Sequence, residues 1–186
     1  MKIKTLVVIA DGTEDIEVAV PVDLLRRAGL DVIIASDNQT VVLANGIRIL
    51  PDKVLRHIEK DDEFNAIILP GGGKGVKNLW ISTHLKEILL AHHRKGRLIG
   101  AICAAPLILA KFGILDHNTE ITSHPTVKDV LSVYNYSEES VVVSRNIVTS
   151  RGAGTSFEFG FKLVELLTDS ATARKIAQEI LYTENL

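Results

Sequence analysis

The sequence predicts an α/β fold, in which a mostly parallel sheet is covered by helices on both faces. Short apolar segments rich in β-branched residues alternate with longer segments of helical character along the chain. Strands that are apolar on both sides are typical of parallel sheets buried between helices. No repeat, low-complexity tract or linker divides the 186 residues, so we expect one domain spanning residues 1–186.

The first half of the chain predicts three sheet strands, two helices and one hairpin. The strands are expected at residues 6–10, 31–35 and 66–69, and the helices at residues 14–28 and 76–93. Asn45-Gly46 suits the positive φ angles of a two-residue turn, so residues 41–44 and 47–50 are expected to pair as a hairpin.

The second half of the chain continues the alternation of strands and helices. A strand at residues 96–102 leads into Cys103, and Pro106 suits the first turn of the helix that follows. Further strands are expected at residues 119–123, 141–144 and 147–150, and further helices at residues 126–134, 156–167 and 172–182. Thr155 and Glu158 have the spacing of a capping box for the helix at residue 156.

Composition and charge exclude several classes of protein. The formal net charge of -2 leaves no basic excess to neutralise phosphates, so nucleic acid is not expected as a partner. A single cysteine cannot form an intrachain disulfide and fits a reducing compartment. The sequence has neither a signal-peptide cleavage pattern nor a segment of membrane-spanning length. We therefore expect a cytoplasmic protein that does not enter a membrane.

The segments that follow the predicted strands carry the residues best suited to chemistry. Ligand sites in parallel sheets gather beyond the carboxyl ends of the strands, so these segments are expected to meet. They are residues 11–17, 70–75, 103–106, 124–125 and 151–155.

Cys103 stands between a predicted buried strand and a predicted helix. Small residues flank it, and a thiol on such a turn lies close to unpaired backbone N–H groups that favour its thiolate. The setting resembles, in its mechanics alone, the nucleophile elbow of hydrolases. Free cysteine is also a common small core residue, so a purely structural role stays open from the residues alone.

The glycine-rich segment at residues 70–75 follows a strand but matches no phosphate-binding motif. Lys74 is not followed by serine or threonine, and Val76 replaces the third glycine of the dinucleotide fingerprint. The segment instead suits a loop of bare backbone whose N–H groups approach an oxyanion. A tight turn that needs positive φ is the alternative.

Glu17 and His124 are the two further candidates for a site around Cys103. Pro21 disturbs the helix that contains Glu17, and a carboxyl group buried there would tend to keep its proton. Glutamate is rarely buried, however, so the residues alone favour a solvated Glu17. His124 ends a strand before Pro125, whereas His84, His92 and His93 lie on a charged helix and are expected at the surface. The histidines follow no metal-ligand spacing, so we expect no metal site.

Five motifs together resemble the ThiJ/PfpI superfamily, and in particular its Parkinson-disease-protein branch. The resemblance covers almost the whole chain and implies a flavodoxin-like three-layer sandwich. The motifs are Glu14-Asp15-Ile16-Glu17 with Pro21-Val22-Asp23, Leu69-Pro70-Gly71-Gly72, Ala101-Ile102-Cys103-Ala104-Ala105-Pro106, Ser123-His124-Pro125, and Thr149-Ser150-Arg151-Gly152 with Gly154-Thr155-Ser156-Phe157-Glu158.

The resemblance implies a role for each candidate residue. Cys103 is similar in position to the family's nucleophilic, oxidation-prone cysteine, Glu17 to a protonated carboxyl group that contacts the sulfur, and His124 to a nearby histidine. Gly72 and Ala104 match the residues whose N–H groups form an oxyanion site.

The resemblance also implies a homodimer, with the first helix near the interface. On that basis Asp23 and Arg27 are candidates to reach the partner's site, Asp23 towards the partner's His124.

The function that the resemblance implies is a cofactor-independent, cysteine-dependent glyoxalase or deglycase acting on methylglyoxal, glyoxal or their adducts. The alternative is a redox-sensing stress protein or chaperone switched by oxidation of Cys103. A third possibility, thiazole monophosphate biosynthesis, is often attached to such sequences, but no phosphate motif supports it here.

Overall fold

Seven strands form the central sheet, and two short two-stranded ladders lie outside it. These features come from a computed structural model, which describes residues 2–183, so the predicted domain limits at residues 1 and 186 lie outside the described residues. The strands are β1 (Lys4–Val8), β2 (Asp31–Ser36), β3 (Val41–Val42), β4 (Arg48–Ile49), β5 (Lys53–Val54), β6 (Ala66–Leu69), β7 (Leu98–Ile102), β8 (Glu120–Ile121), β9 (Asn135–Tyr136), β10 (Val141–Ser144) and β11 (Ile147–Ser150).

The order of the strands in the sheet is β10-β11-β7-β6-β1-β2-β5. Each neighbouring pair is parallel except β10 and β11, which form the predicted antiparallel hairpin. The predicted hairpin around Asn45-Gly46 is also present, as the ladder of β3 and β4. The mostly parallel sheet predicted from the apolar segments is therefore confirmed.

Seven helices are described. They are α1 (Asp15–Arg27), α2 (Gly73–Leu79), α3 (Thr83–Arg94), α4 (Pro106–Lys111), α5 (Lys128–Leu131), α6 (Ser156–Leu167) and α7 (Ser170–Glu179).

Each face of the sheet carries its own apolar core. Leu6 and Val8 of β1 pack in one core with side chains of α2, α3 and α4. Val7, in the same strand, packs in the other core with side chains of α1, α6 and α7. Because successive side chains of a strand point to opposite faces, this alternation requires helices on both sides of the sheet. The structure is thus a three-layer α/β sandwich, as expected.

Two predicted helices differ from the observed ones. The helix expected at residues 76–93 is divided into α2 and α3, because the Ser82 side chain accepts the Leu85 N–H at 3.1 Å and begins a new helix. The helix expected at residues 126–134 is reduced to the single turn α5. A 3-10 turn at Pro125–Val127 precedes it, and β9 begins at Asn135.

Two local predictions are wrong. Thr155 does not cap α6, because its hydroxyl accepts the Gly152 N–H at 3.1 Å and lies 2.6 Å from Ser150 Oγ. His92 is not at the surface but buried, and its Nε2 lies 2.9 Å from the Leu98 carbonyl oxygen. Burial disfavours the charged imidazole and lowers the pKa of His92 to about 4.

Two kinds of feature are missing from residues 2–183. None of the helices in that range combines the length and apolarity that crossing a membrane requires. The same residues contain no group of three or more His, Cys, Asp or Glu side chains placed to hold a metal ion.

Candidate active site

Cys103 occupies a sharp turn at the carboxyl end of β7. Its φ of 65° makes it one of three non-glycine residues with positive φ among residues 2–183. Its N–H donates to the Ser150 carbonyl at 2.9 Å, and its carbonyl accepts the His124 N–H at 2.9 Å. These two bonds hold the strained turn between β11 and the loop that carries His124, and they leave the thiol partly exposed.

Glu17 lies in the first turn of α1 and is 1% exposed. Its Oε2 accepts the Gly71 N–H at 2.7 Å. The solvated position that the residues alone favoured is therefore wrong. The reason is tertiary: α1 packs its inner face, including Val18 and Val22, into the core, and the carboxyl group reaches the loop after β6.

Gly71 lies against both Glu17 and Cys103, whose side chains are hydrogen-bonded to each other. A Cβ atom on residue 71 would lie 2.6 Å from Cys103 Cβ and 2.6 Å from Glu17 Oε2. Only glycine fits between the two side chains without displacing one of them. Gly71 was not singled out from the sequence, although it belongs to the glycine loop that was.

The backbone N–H groups of Gly72 and Ala104 are within hydrogen-bonding reach of the Cys103 sulfur. Gly72 has a φ of 85°, and a Cβ atom there would lie 2.6 Å from the Glu14 nitrogen. Both interpretations of the glycine segment therefore hold, since the turn needs positive φ and also presents bare backbone to the thiol. Two such donors favour negative charge at that position.

The two ionisable groups at the centre of the site have raised pKa values. Burial raises the pKa of Glu17 to about 7, although the Gly71 N–H acts in the opposite direction. Burial and the neighbouring Glu17 charge raise the pKa of Cys103 to about 12, against the effect of the Gly72 and Ala104 N–H groups. At a pH between these two pKa values, the Glu17–Cys103 pair holds one proton, which the sulfur and the carboxyl group share.

His124 lies at the mouth of the site, half-buried, in the loop before the 3-10 turn. The Thr126 N–H donates to its Nδ1 at 3.3 Å, and the Thr126 hydroxyl lies 2.8 Å from the same nitrogen. Because Nδ1 accepts a backbone N–H, the neutral ring carries its proton on Nε2.

A pocket of about 300 Å³ opens above the thiol. It brings together four predicted site residues, which are Gly72, Cys103, Ala104 and His124. Glu17 is not part of its lining and lies behind the thiol. The rest of the lining combines the apolar side chains Val76, Trp80, Leu107 and Val127 with the polar residues Glu14, Lys77 and Thr126, together with Gly73.

Asp23 and Arg27 do not line this pocket. Both are exposed on α1, and Arg27 Nε donates to Asp23 Oδ2 at 2.7 Å. Their expected position at a partner's site stays a prediction.

Asp15 is a buried acid that the sequence reasoning missed. Its carboxylate accepts the Asn45 N–H at 2.8 Å and the Ile47 N–H at 3.1 Å. Burial would raise its pKa, but these hydrogen bonds prevail and lower it. Asp15 thus anchors the β3–β4 hairpin to the start of α1. The Asn45-Gly46 turn indicated the hairpin but not the acid that holds it.

Comparison with known families and proteins shows what this chain is similar to. The model of the DJ-1/PfpI family matches residues 3–166. The chain is 37% identical over 183 residues to the Parkinson disease protein 7 homolog of Danio rerio, with 96% of each chain covered. It is 42% identical over 160 residues to the glutathione-independent glyoxalase DJR-1.2 of Caenorhabditis elegans, with 84% of each covered.

A solved structure has the same fold over nearly the whole chain. The crystal structure of Drosophila melanogaster DJ-1beta superposes with a TM-score of 0.93 at 35% identity, covering 99% of this chain and 100% of that one. A family match over most of the chain, together with relatives above 30% identity that are covered over 84% and 96% of their length, shows that this chain belongs to the DJ-1/PfpI family.

Proposed function

We propose that this protein is a glutathione-independent glyoxalase that converts small oxoaldehydes into hydroxy acids with Cys103 as the nucleophile. The observation that carries the proposal is the buried Glu17 carboxyl group behind a thiol that two backbone N–H groups approach, at the floor of a pocket. The glyoxalase named among its relatives supports the same activity.

The first step is addition of the Cys103 sulfur to the aldehyde carbon of the substrate. The reactive form of the pair has its one proton on Glu17 and a thiolate on Cys103. The sulfur forms a C–S bond, and the aldehyde oxygen becomes an alkoxide that the Gly72 and Ala104 N–H groups stabilise. Glu17 then gives its proton to the alkoxide, with His124 assisting, which forms a hemithioacetal and leaves Glu17 ionised.

The second step moves hydrogen from one carbon to the next. The ionised Glu17 carboxylate removes the proton from the former aldehyde carbon, which gives an enediol, and returns a proton to the adjacent carbon. The first carbon is oxidised to a thioester, and the second is reduced from a ketone to an alcohol. Water then cleaves the thioester and releases the hydroxy acid and Cys103. Substrate and water supply every atom and electron, so the scheme requires no cofactor.

The direct test is incubation with methylglyoxal in the absence of glutathione. We expect lactate from the wild-type protein and at least a thousandfold less from Cys103→Ser, because removal of the nucleophile abolishes covalent catalysis. Ser132→Ala is a matched control, since Ser132 is exposed and lies outside the pocket lining. Equal lactate from wild type and Cys103→Ser would overturn the mechanism. Release of the same carbonyls from glycated protein or nucleotide adducts would be the related deglycase activity.

A second candidate function is redox sensing by Cys103 in a stress response or chaperone. The partly exposed thiol and the two N–H groups directed at it favour this role, since they would stabilise the oxygens of a sulfinate. Two equivalents of hydrogen peroxide would add two oxygen atoms to the sulfur. Mass spectrometry after mild peroxide treatment is expected to show one clean two-oxygen adduct on Cys103. Slow or scattered oxidation would contradict the role.

The assembly and the compartment are also proposals. We propose a homodimer, because the exposed Asp23–Arg27 pair on α1 can face a second copy of the chain. We also propose a cytoplasmic location, since a single cysteine fits a reducing compartment. Light scattering is expected to give twice the 20.3 kDa mass of the chain. A monomer at micromolar concentration would contradict the dimer.

A further inference from the structure

The structure points to a preference among oxoaldehydes that rests on the proposed function. We propose that the pocket selects substrates whose second substituent is apolar and larger than methyl, with an aryl group as the best fit. Trp80 is the principal specificity-determining residue.

The pocket separates the reacting end of a substrate from its substituent. Around the Cys103 sulfur lie the N–H groups of Gly72 and Ala104, and His124 is part of the same lining. An aldehyde attacked by the sulfur must place its oxygen among these donors. The substituent is then directed to the remaining lining, where four side chains are apolar: Val76, Trp80, Leu107 and Val127.

These four side chains form one wall, which we call the apolar wall. Val76 is buried, whereas Trp80, Leu107 and Val127 are half-buried and therefore have surface left to cover. The charged side chain of Lys77 is exposed at the rim. A ligand that covers the apolar wall gains from burial in proportion to its apolar area.

The indole ring of Trp80 is held in place. The backbone N–H of Trp80 donates to the Val76 carbonyl at 2.9 Å and fixes the main chain at that residue, and the ammonium group of Lys111 contacts the ring itself, 4.6 Å from its centroid. Trp80 directly follows α2, and α2 begins next to Gly72. One short helix therefore links the oxyanion donor Gly72 to Val76 and Trp80 of the apolar wall. A ring held in this way is preorganised for stacking with another ring.

The size of the pocket supports a large substituent. Its volume of about 300 Å³ lies at the lower end of the range for drug-sized ligands. The two carbons of glyoxal or the three of methylglyoxal leave the apolar wall in contact with water. A phenyl substituent reaches it and displaces that water.

The test compares kcat/KM for glyoxal, methylglyoxal and phenylglyoxal. We expect phenylglyoxal to exceed methylglyoxal at least tenfold in the wild-type protein, as burial of an aryl group in an apolar site implies. Trp80→Ala is expected to reduce this ratio at least tenfold, and Trp80→Phe to restore most of it. Ile81→Ala is the matched control, because Ile81 is 71% exposed and lies outside the pocket. Initial rates are corrected with Cys103→Ser, since phenylglyoxal also modifies arginine.

A second readout does not depend on the folding of any variant. Trp80 is the only tryptophan of the chain, so its fluorescence reports occupation of the pocket directly. Mandelate, the expected product from phenylglyoxal, should quench the emission of the wild-type protein at a concentration at least tenfold below that needed for lactate.

The results that would overturn the proposed selectivity differ from those that would overturn the proposed glyoxalase activity. Turnover of methylglyoxal with a phenylglyoxal ratio near one, or equal quenching by mandelate and lactate, would overturn the selectivity and leave the glyoxalase activity in place. Absence of turnover with all three aldehydes would overturn the proposed function itself.

Discussion

Glu17 Oε2 accepts the Gly71 N–H at 2.7 Å, and the N–H of the next residue, Gly72, reaches the Cys103 sulfur. Two consecutive N–H groups of one loop thus donate to the acid–thiol pair, one to Glu17 and the other to Cys103. The Gly71 N–H favours a charged carboxylate, and the Gly72 N–H favours a charged thiolate. The Gly71 N–H therefore favours the state with the proton on the sulfur, and the Gly72 N–H favours the state with the proton on Glu17, so one loop acts on both positions of the shared proton.

Replacement of Glu17 by glutamine is expected to reduce kcat for methylglyoxal at least a hundredfold. The amide oxygen can still accept the Gly71 N–H, but the side chain cannot take up or release a proton at neutral pH. Steady-state lactate formation measures the effect, and circular dichroism checks the fold. Activity within threefold of wild type would show that Glu17 does not transfer the proton.

The pH dependence of turnover follows from the raised pKa of Glu17. Below about pH 7 both the carboxyl group and the thiol hold a proton, so no nucleophile is present. Loss of one proton near pH 7 produces the state from which the thiolate forms. We expect kcat/KM to rise about tenfold per pH unit below 7 and to level off above it. A profile that is flat between pH 5 and 8 would contradict this assignment.

The pH dependence of stability is expected to contain two opposing contributions. The folded chain keeps the Glu17 proton up to about pH 7, whereas the unfolded chain loses it near 4.5, so the free energy of unfolding falls as pH rises through this window. His92 acts oppositely. The unfolded chain binds its proton below 6.5 and the folded chain only below about 4, so the free energy of unfolding rises with pH.

Each contribution amounts to about 3 kcal/mol, so the two nearly cancel in the wild-type protein between pH 4.5 and 6.5. Urea unfolding at both pH values tests this. Glu17→Gln should become more stable at the higher pH, and His92→Gln should become less stable. The same pH dependence in both variants would refute the assignment of opposite signs.

Gly71→Ala is expected to reduce both activity and stability. The added Cβ would lie 2.6 Å from Cys103 Cβ and 2.8 Å from the Ile102 carbonyl oxygen, so the thiol or the loop must move. Overpacking of this kind lowers the free energy of unfolding by about 1–3 kcal/mol. Gly154→Ala is the control, since a Cβ atom at residue 154 meets no neighbour within 4 Å. Thermal unfolding and lactate formation are measured for both. Equal melting temperatures and equal lactate formation in the two variants would rule out the close approach of Gly71 to Cys103.

The sheet could be predicted because its strands are continuously apolar and β-branched, as in residues 66–69, and because turn residues separate them. Helix ends were harder to predict. The division at Ser82 depends on one side-chain cap, and residues 126–134 have helical spacing but form only one helical turn before β9 begins.

The site could be predicted in part. Cys103 follows β7 at the carboxyl edge of the sheet, as the alternation of strands and helices predicted. His124 follows β8, which lies outside that sheet, and its N–H bond to the Cys103 carbonyl brings it to the same site. The burial of Glu17 could not be derived from local sequence, because it depends on how α1 packs against the loop after β6. Trp80 was missed for a similar reason: its place in the pocket depends on how α2 packs against α4.

In the proposed mechanism, Cys103 and Glu17 isomerise an oxoaldehyde by proton transfer. The most direct measurement is proton NMR of the lactate formed from methylglyoxal in D₂O, without glutathione or added cofactor. We predict lactate from the wild-type protein, at least a thousandfold less from Cys103→Ser and at least a hundredfold less from Glu17→Gln, with deuterium at the hydroxyl-bearing carbon wherever the proton held by Glu17 exchanges with solvent before it is returned. Lactate from Glu17→Gln within threefold of the wild-type amount would contradict the role given to Glu17.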